Sequence, residues 1–204
     1  MNSLYQLKPA FQNMLRPLVG LLARRKVTPN QVTWAALTMS VCAGAAIAWW
    51  PGNRVVLLLI PLIMLVRMAL NAIDGMLARE HRMQTVAGGF LNELSDVIAD
   101  AALCLPFALV LPQYGAWVIA LVVVALIAEF AGVVAQALGG SRRYDGPMGK
   151  SDRAFVVGLL ALLLGSGVPA GAWCAILLGT AFALVTLTVW NRVRNGIDEV
   201  SRLS

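Results

Sequence analysis

Charge is scarce in this 204-residue chain: Asp, Glu, Lys and Arg make up 13% of it, against 59% hydrophobic residues. A soluble domain of this size does not need so much apolar sequence, so the scarcity excludes that class and leaves a membrane protein. Histidine occurs once, as His81 in a tight polar loop, and is read as carrying no role. The three cysteines, Cys42, Cys104 and Cys174, all fall in apolar runs and share no C-x-x-C spacing, so they are read as packing residues. No compact apolar core followed by a small-residue cleavage site opens the chain, so no cleaved signal peptide is expected. Neither an internal repeat nor a low-complexity tail is visible, and a single domain over residues 1–204 is the simplest organisation.

What is present is a series of apolar segments. A spanning helix needs about 20 such residues, and the sequence predicts an all-α membrane protein with six spans, at roughly 30–50, 54–78, 86–111, 114–138, 153–168 and 171–192. Basic residues crowd the N-terminal segment (Lys8, Arg16, Arg24, Arg25, Lys26) and return after the second span (Arg79, Arg82), the fourth (Arg142, Arg143, Lys150, Arg153) and the sixth (Arg192, Arg194, Arg202). The alternate connections carry only Arg54, so the positive-inside rule puts both termini in the cytoplasm. Tryptophans agree, with Trp49, Trp50, Trp117 and Trp173 at outer ends and Trp34 and Trp190 at inner ends. The formal net charge of +6 is then a matter of topology and anionic lipid, and no nucleic-acid partner is expected. Before the first span, Leu4, Leu7, Phe11, Leu15, Leu18 and Leu22 recur at helical spacing. They predict amphipathic helix over 1–28, either on the inner leaflet or packed on the protein's own cytoplasmic face. Residues 193–204 are read as a cytoplasmic tail. Ala36, Ser40, Gly44 and Ala48 form a small-residue ladder on the first span, expected to let helix backbones approach.

Against this apolar background a few polar residues stand out. Asn71 and Asp74 lie three apart on the second span, and Asn92 and Asp96 four apart on the third, spacings that share a helical face. Ionisable groups within membrane segments cost roughly 2.5–3.5 kcal/mol each on insertion scales, so they are candidates for function. Arg67 lies one turn outward of Asn71 and Asp100 one turn outward of Asp96, which predicts a buried pair, with Glu129 as a third member. A polar end to a substrate pocket is the other reading of these three.

The full pattern reads N-x-x-D-G-x-x-A-R from Asn71 to Arg79, eight residues, then G-x-x-x-N-x-x-x-D from Gly88 to Asp96. It resembles the CDP-alcohol phosphatidyltransferase family, which carries Asp where this chain has Asn71 and Asn92. The hydropathy map, the Thr28-Pro29-Asn30 entry and the basic stretch before the fifth span are also similar, and the resemblance covers essentially the whole chain. It implies transfer of a phosphatidyl (phospho-alcohol) group from a CDP-alcohol, CDP-diacylglycerol foremost, to an acceptor alcohol, with release of CMP. It implies Mg²⁺ or Mn²⁺, held by Asn71, Asp74, Asn92 and Asp96, and assigns Asp96 as the base for the acceptor hydroxyl. Hard divalent cations favour oxygen ligands and can stabilise a diphosphate leaving group. It also implies that Gly75, Ala78 and Gly88 let the nucleotide approach the helix backbones and that Arg79 fixes the site at the cytoplasmic edge. A homodimer among membrane lipid, in a bacterial inner membrane, is the implied setting.

The two asparagines remain oxygen donors but remove two negative charges, which predicts weaker metal binding. Glu93, beside the motif, is a candidate to compensate, and Glu80 is read as solvated. Lys150, Arg153 and Arg142 are the candidates for acceptor binding, and this basic loop leans toward an anionic acceptor. Glycerol phosphate, serine and inositol phosphate all stay open. Two other functions compete: a non-catalytic relative that binds CDP-lipid or acts as a membrane scaffold, resting on the two Asn, and a transporter, which would need broken helices and related halves.

Overall fold

The computed structural model describes the backbone of residues 3–203 and the side chains of residues 9–203. Among them there are helices and connecting turns and no strand. Helix α1 (Ser3–Arg24) is followed by α2 (Pro29–Trp49), α3 (Arg54–Glu80), α4 (Val86–Cys104), the short α5 (Phe107–Val110), α6 (Gly115–Ala137), α7 (Lys150–Gly165) and α8 (Ala172–Leu203). Four helical stretches are long and apolar enough to cross a membrane: α2, α3, α6 with the turn before it, and α8. The hydropathy of α4 is interrupted by Glu93, Asp96 and Asp100, and α7 has only 16 residues.

Local chemistry sets the helix starts. Thr28 caps α2 through a capping box: its hydroxyl accepts from the Gln31 amide at 3.3 Å and the Gln31 side chain accepts from the Thr28 amide at 2.9 Å, with Pro29 opening the helix. Asn53 caps α3, and Thr85 caps α4 by accepting from the Gly88 amide at 2.9 Å. The stretch expected as one span over 86–111 is instead broken after Cys104 and resumes at Phe107. Pro106 lacks an amide donor and its ring clashes with the preceding turn, so α4 cannot run through it. At the other end, residues expected as a tail continue α8 as helix to Leu203.

Helix α1 packs one side against the protein's own helices. Leu15 and Val19 are buried against Val32, Ile73, Met76 and Leu77 of α2 and α3, whereas Met14, Leu18 and Leu21 are exposed. The expected contributions of Leu4, Leu7 and Lys8 lie outside the described side chains. Glu80, expected to be solvated, pairs with Arg16 of α1 at 3.4 Å, although both side chains remain partly exposed. α2 packs between α3 and α4, α3 also meets α7, and α6 lies along α8. Within the small-residue ladder Ala36, Ser40 and Gly44 are buried, but Ala48 is exposed. A Cβ on Gly44 would overlap the Ala102 carbonyl oxygen, so α2 and α4 are in backbone contact there. Of the cysteines, Cys174 is buried and Cys104 half-buried, while Cys42 is exposed and packs into no core.

The distribution of polarity is inverted relative to a soluble protein. Large apolar residues such as Leu58, Leu62, Leu65 and Phe130 are exposed, while Arg67, Asp74, Glu129, Arg153 and Arg192 are buried. Apart from Asp74, these buried charges form one chain of contacts with Asp100. Arg67 pairs with Asp100 at 2.6 Å, Asp100 with Arg153 at 3.1 Å, Arg153 with Glu129 at 2.9 Å, and Glu129 with Arg192 at 3.5 Å. The expected Arg67–Asp100 pair is present, and Glu129 joins it through Arg153, so α3, α4, α6, α7 and α8 are tied together.

Three stability outcomes follow from this packing. Gly44→Ala should lower thermal stability in detergent by about 1–3 kcal/mol, the usual cost of overpacking. Gly179→Ala on α8, where an added Cβ meets no atom within 4 Å, should be neutral or slightly stabilising in the same melt. Arg67→Met leaves Asp100 with Arg153 as its remaining partner and should lower stability by up to about 3–5 kcal/mol, most of which Arg67→Met with Asp100→Leu should recover. An additive double mutant would show that the pair is not coupled.

Candidate active site

Asn71 and Asp74 lie in the second half of α3, and Asp96 lies midway along α4. The Asn71 amide donates to Asp96 Oδ1 at 3.1 Å. Lys150, at the start of α7, forms a close ion pair with the same Asp96 oxygen. Arg67 donates to the Asp96 carbonyl oxygen at 3.3 Å, and its guanidinium lies 3.9 Å from Asp96 Oδ1. Asp74 is buried, and its Oδ2 accepts from the Thr33 hydroxyl of α2 at 2.8 Å. Thr33 is itself fixed through a 3.1 Å bond to the Pro29 carbonyl oxygen. Asn92 lies half-buried one turn before Asp96, and its carbonyl oxygen accepts from Ser95. No hydrogen bond of its side chain joins it to the other three among the described residues.

The glycines and Arg79 are arranged differently from one another. The Arg79 guanidinium folds back over Gly75, where a Cβ would lie 3.0 Å from Nη2. Gly88 allows α4 to close against α2: a Cβ there would meet Asn30 Oδ1 at 2.7 Å and Thr85 Oγ1 at 2.9 Å. Ala78 is half-buried between these positions in the sequence, and His81 is exposed in the turn that follows.

Glu93 turns away from the Asp96 group and forms a close ion pair with Arg142 of the α6–α7 loop. Arg142 also reaches Glu129 at 3.4 Å, and its guanidinium lies 5.1 Å from the centre of the Tyr144 ring. Burial works against the charge of Arg142, but the carboxylate of Glu93 and its other neighbours outweigh it and hold its pKa above the ordinary value. The same loop is anchored by Arg143, which bonds Asp145 at 2.7 Å and Glu199 of α8 at 2.9 Å. Gly146 adopts φ +121° against Thr188, a conformation and proximity that require glycine.

Between α3, α4, α6 and α7 lies a cavity whose walls are apolar, with Met64, Phe107 and Val118 among them. Arg67, Asp100, Lys150 and Arg153 form its polar end, so the Arg67–Asp100 pair braces the helices and also lines the cavity.

Two participants were not identified as site residues from the sequence. Thr33 lies one turn after Pro29, and the signal was a polar residue on the face that turns toward Asp74. Arg192 was counted with the topology charges. It is 2% exposed and donates to the Ala128 carbonyl oxygen at 2.6 Å and the Asp145 carbonyl oxygen at 3.3 Å. The signal was Glu129, a carboxylate in an apolar helix that needs more than one partner.

As a donor set, Asp74, Asp96 and two amide side chains offer only oxygen ligands of the kind that suits a hard divalent cation. Two of them are anionic, and among the described residues no three His, Cys, Asp or Glu side chains cluster closely enough to hold a metal by themselves. The chemistry fits a divalent ion bound with its diphosphate ligand more readily than one caged by protein alone.

The sequence profile of CDP-alcohol phosphatidyltransferases matches residues 26–190. A protein of Escherichia coli (strain K12), inner membrane protein YnbA, is 42% identical over 193 residues, covering 95% of this chain and 96% of its own. The phosphatidylinositol phosphate synthase of Cutibacterium acnes is 28% identical over 193 residues, covering 88% of each. The crystal structure of Mycobacterium tuberculosis phosphatidylinositol phosphate synthase (PgsA1) with manganese and citrate superimposes with a TM-score of 0.74 at 20% identity, over 88% of this chain and 87% of that one. The same enzyme with CDP-DAG bound gives 0.74 at 20% identity, over 89% and 92%. At that identity the superposition shows a shared fold. Four helical stretches able to cross a membrane and an inner-membrane relative make this an integral membrane protein. With the profile spanning most of its length, the chain belongs to the CDP-alcohol phosphatidyltransferase family, transferases of phospholipid biosynthesis.

Proposed function

We propose that this enzyme transfers the phosphatidyl group of CDP-diacylglycerol to the hydroxyl of an acceptor alcohol and releases CMP. The observation that carries this reading is the meeting of Asn71, Asp96 and Lys150, with Asp74 held in place by Thr33. The M. tuberculosis enzyme solved with CDP-DAG and, separately, with manganese supports the choice of donor and cofactor. The site lies at the cytoplasmic face of a bacterial inner membrane, in a six-span bundle with both termini inside. In that arrangement α4 with α5, and α7, supply the two spans that hydropathy alone leaves out. The whole chain acts as one catalytic domain, and a homodimer is the assembly consistent with its family.

Asp74 and Asp96, with the amide oxygens of Asn71 and Asn92, would hold Mg²⁺ or Mn²⁺. When bound, the ion neutralises the diphosphate and the charge developing on the leaving CMP. The rest is the work of the chain's own side chains. Gly75, Ala78 and Gly88 present little bulk to the nucleotide, and Arg79 swings from its place over Gly75 to meet phosphate. Lys150 and Arg67 hold Asp96 in place and orient it. Asp96 takes the proton of the acceptor hydroxyl as its oxygen attacks the lipid-side phosphorus. The phosphorus–oxygen bond to CMP breaks, and CMP leaves with that bonding pair. Lys150, Arg153 and Arg142 position the acceptor beside Asp96. The lipid chains remain in the bilayer.

Purified protein given CDP-diacylglycerol, Mn²⁺ and a panel of alcohols should release CMP, and removal of divalent ions with a chelator should stop it reversibly. Asp96→Asn should lower CMP release by roughly 10²–10⁴-fold, the usual contribution of a positioned general base, with the thermal melt retained. Turnover unchanged in that variant would remove Asp96 from the role of base. No CMP with any acceptor would favour a non-catalytic CDP-lipid binder.

A further inference from the structure

We infer that the acceptor is an uncharged polyhydroxy compound rather than a phosphorylated alcohol; this rests on the transferase reading above. A phosphate-bearing acceptor would carry about two negative charges into a partly dehydrated site, and needs basic groups whose charge is not already spent on protein carboxylates.

Here the basic groups have such partners. Lys150 is paired with Asp96, and Arg142 with Glu93 and Glu129. Arg153 lies between Asp100 and Glu129, at 3.1 Å and 2.9 Å, and Arg192 is 3.5 Å from Glu129. Farther out, Arg143 is held by Asp145 and Glu199. With Arg67 on Asp100, and leaving aside Lys150 and Asp96, which the proposed metal site shares, the carboxylates in this network still equal the basic side chains in number. The basic residues that lean toward an anion in the sequence are therefore paired in the fold, Arg142 with Glu93 and Glu129, Arg143 with Asp145 and Glu199, and Arg153 with Asp100 and Glu129.

Hydrogen-bonding capacity remains even though surplus charge does not. Arg142 Nε and Arg153 Nη1 are buried with no hydrogen-bond partner among the described residues, although both side chains are already in ion pairs. Buried donors of this kind call for oxygen acceptors. Lys150 and Arg153 also line the polar end of the cavity beside Asp96. Hydroxyl groups satisfy such a surface from both sides, accepting from the arginines and donating to Glu93 and Glu129, at no cost in net charge. A phosphate would satisfy the arginines but face the same carboxylates, an arrangement that rejects it.

The test compares matched acceptors with the full-length protein, CDP-diacylglycerol and Mn²⁺: glycerol against glycerol phosphate, and inositol against inositol phosphate, read as CMP release at equal concentration. The free polyol should be favoured at least tenfold in one or both pairs. Glu129→Gln should shift that ratio at least tenfold toward the phosphorylated member. Should that variant not fold, Glu93→Gln, at a more exposed pair, should shift it in the same direction. CMP only with phosphorylated acceptors would overturn this inference and leave the transferase reading intact. Absence of CMP with every acceptor would overturn both. A ratio unmoved in a folded Glu129→Gln or Glu93→Gln protein would show that these carboxylates do not set the preference.

Discussion

A charge inside an apolar bundle must find an opposite charge, and this requirement organises the protein more than any single helix does. Arg67, Asp100, Arg153, Glu129 and Arg192 reach from α3 across to α8 as a continuous set of pairs. Each member is costly alone, and the set is tolerable because every charge is satisfied by a neighbour on another helix. The pairing fixes how those helices are rotated about their axes. That rotation turns Asn71 onto Asp96 of α4 and Asp74 onto Thr33 of α2, and brings Lys150 to Asp96.

The proposed reaction depends on the same constraint. A general base at the edge of a membrane must be held in place and aimed at its acceptor. Lys150 and Asn71 meet those needs for Asp96 from two different helices, while Thr33 holds Asp74 from a third. The two asparagines lower the local negative charge without removing oxygen ligands. The carboxylates Glu93 and Glu129 are turned instead toward the arginines that border the acceptor's proposed place.

Much of this was legible in the sequence for physical reasons. The motif from Asn71 to Asp96 was conspicuous because amides and acids are rare in apolar helices. The Arg67–Asp100 pair followed from two antiparallel helices with matching offsets. Other features depend on the folded chain. Pro106 breaks the stretch expected as one span, and the helical run of α8 past Arg192 follows no apolar signal. Arg192 reads as an ordinary cytoplasmic charge until Glu129 of α6 is seen beside it. Glu93 was a candidate to reinforce the metal site, but its partner, Arg142, lies in a loop whose path helical periodicity does not encode. Thr33 is a polar residue one turn into α2, and only the tertiary geometry shows that it meets Asp74.

The central claim is that α3 and α4 present their acid and amide oxygens to one divalent ion beside Asp96. The most direct measurement is an anomalous-scattering map of crystals grown with Mn²⁺ and CDP-diacylglycerol. The account predicts a manganese peak within bonding distance of Asp74 and Asp96, with the diphosphate against it. A peak elsewhere, or Asp74 and Asp96 turned apart with the diphosphate bound at another surface, would contradict it.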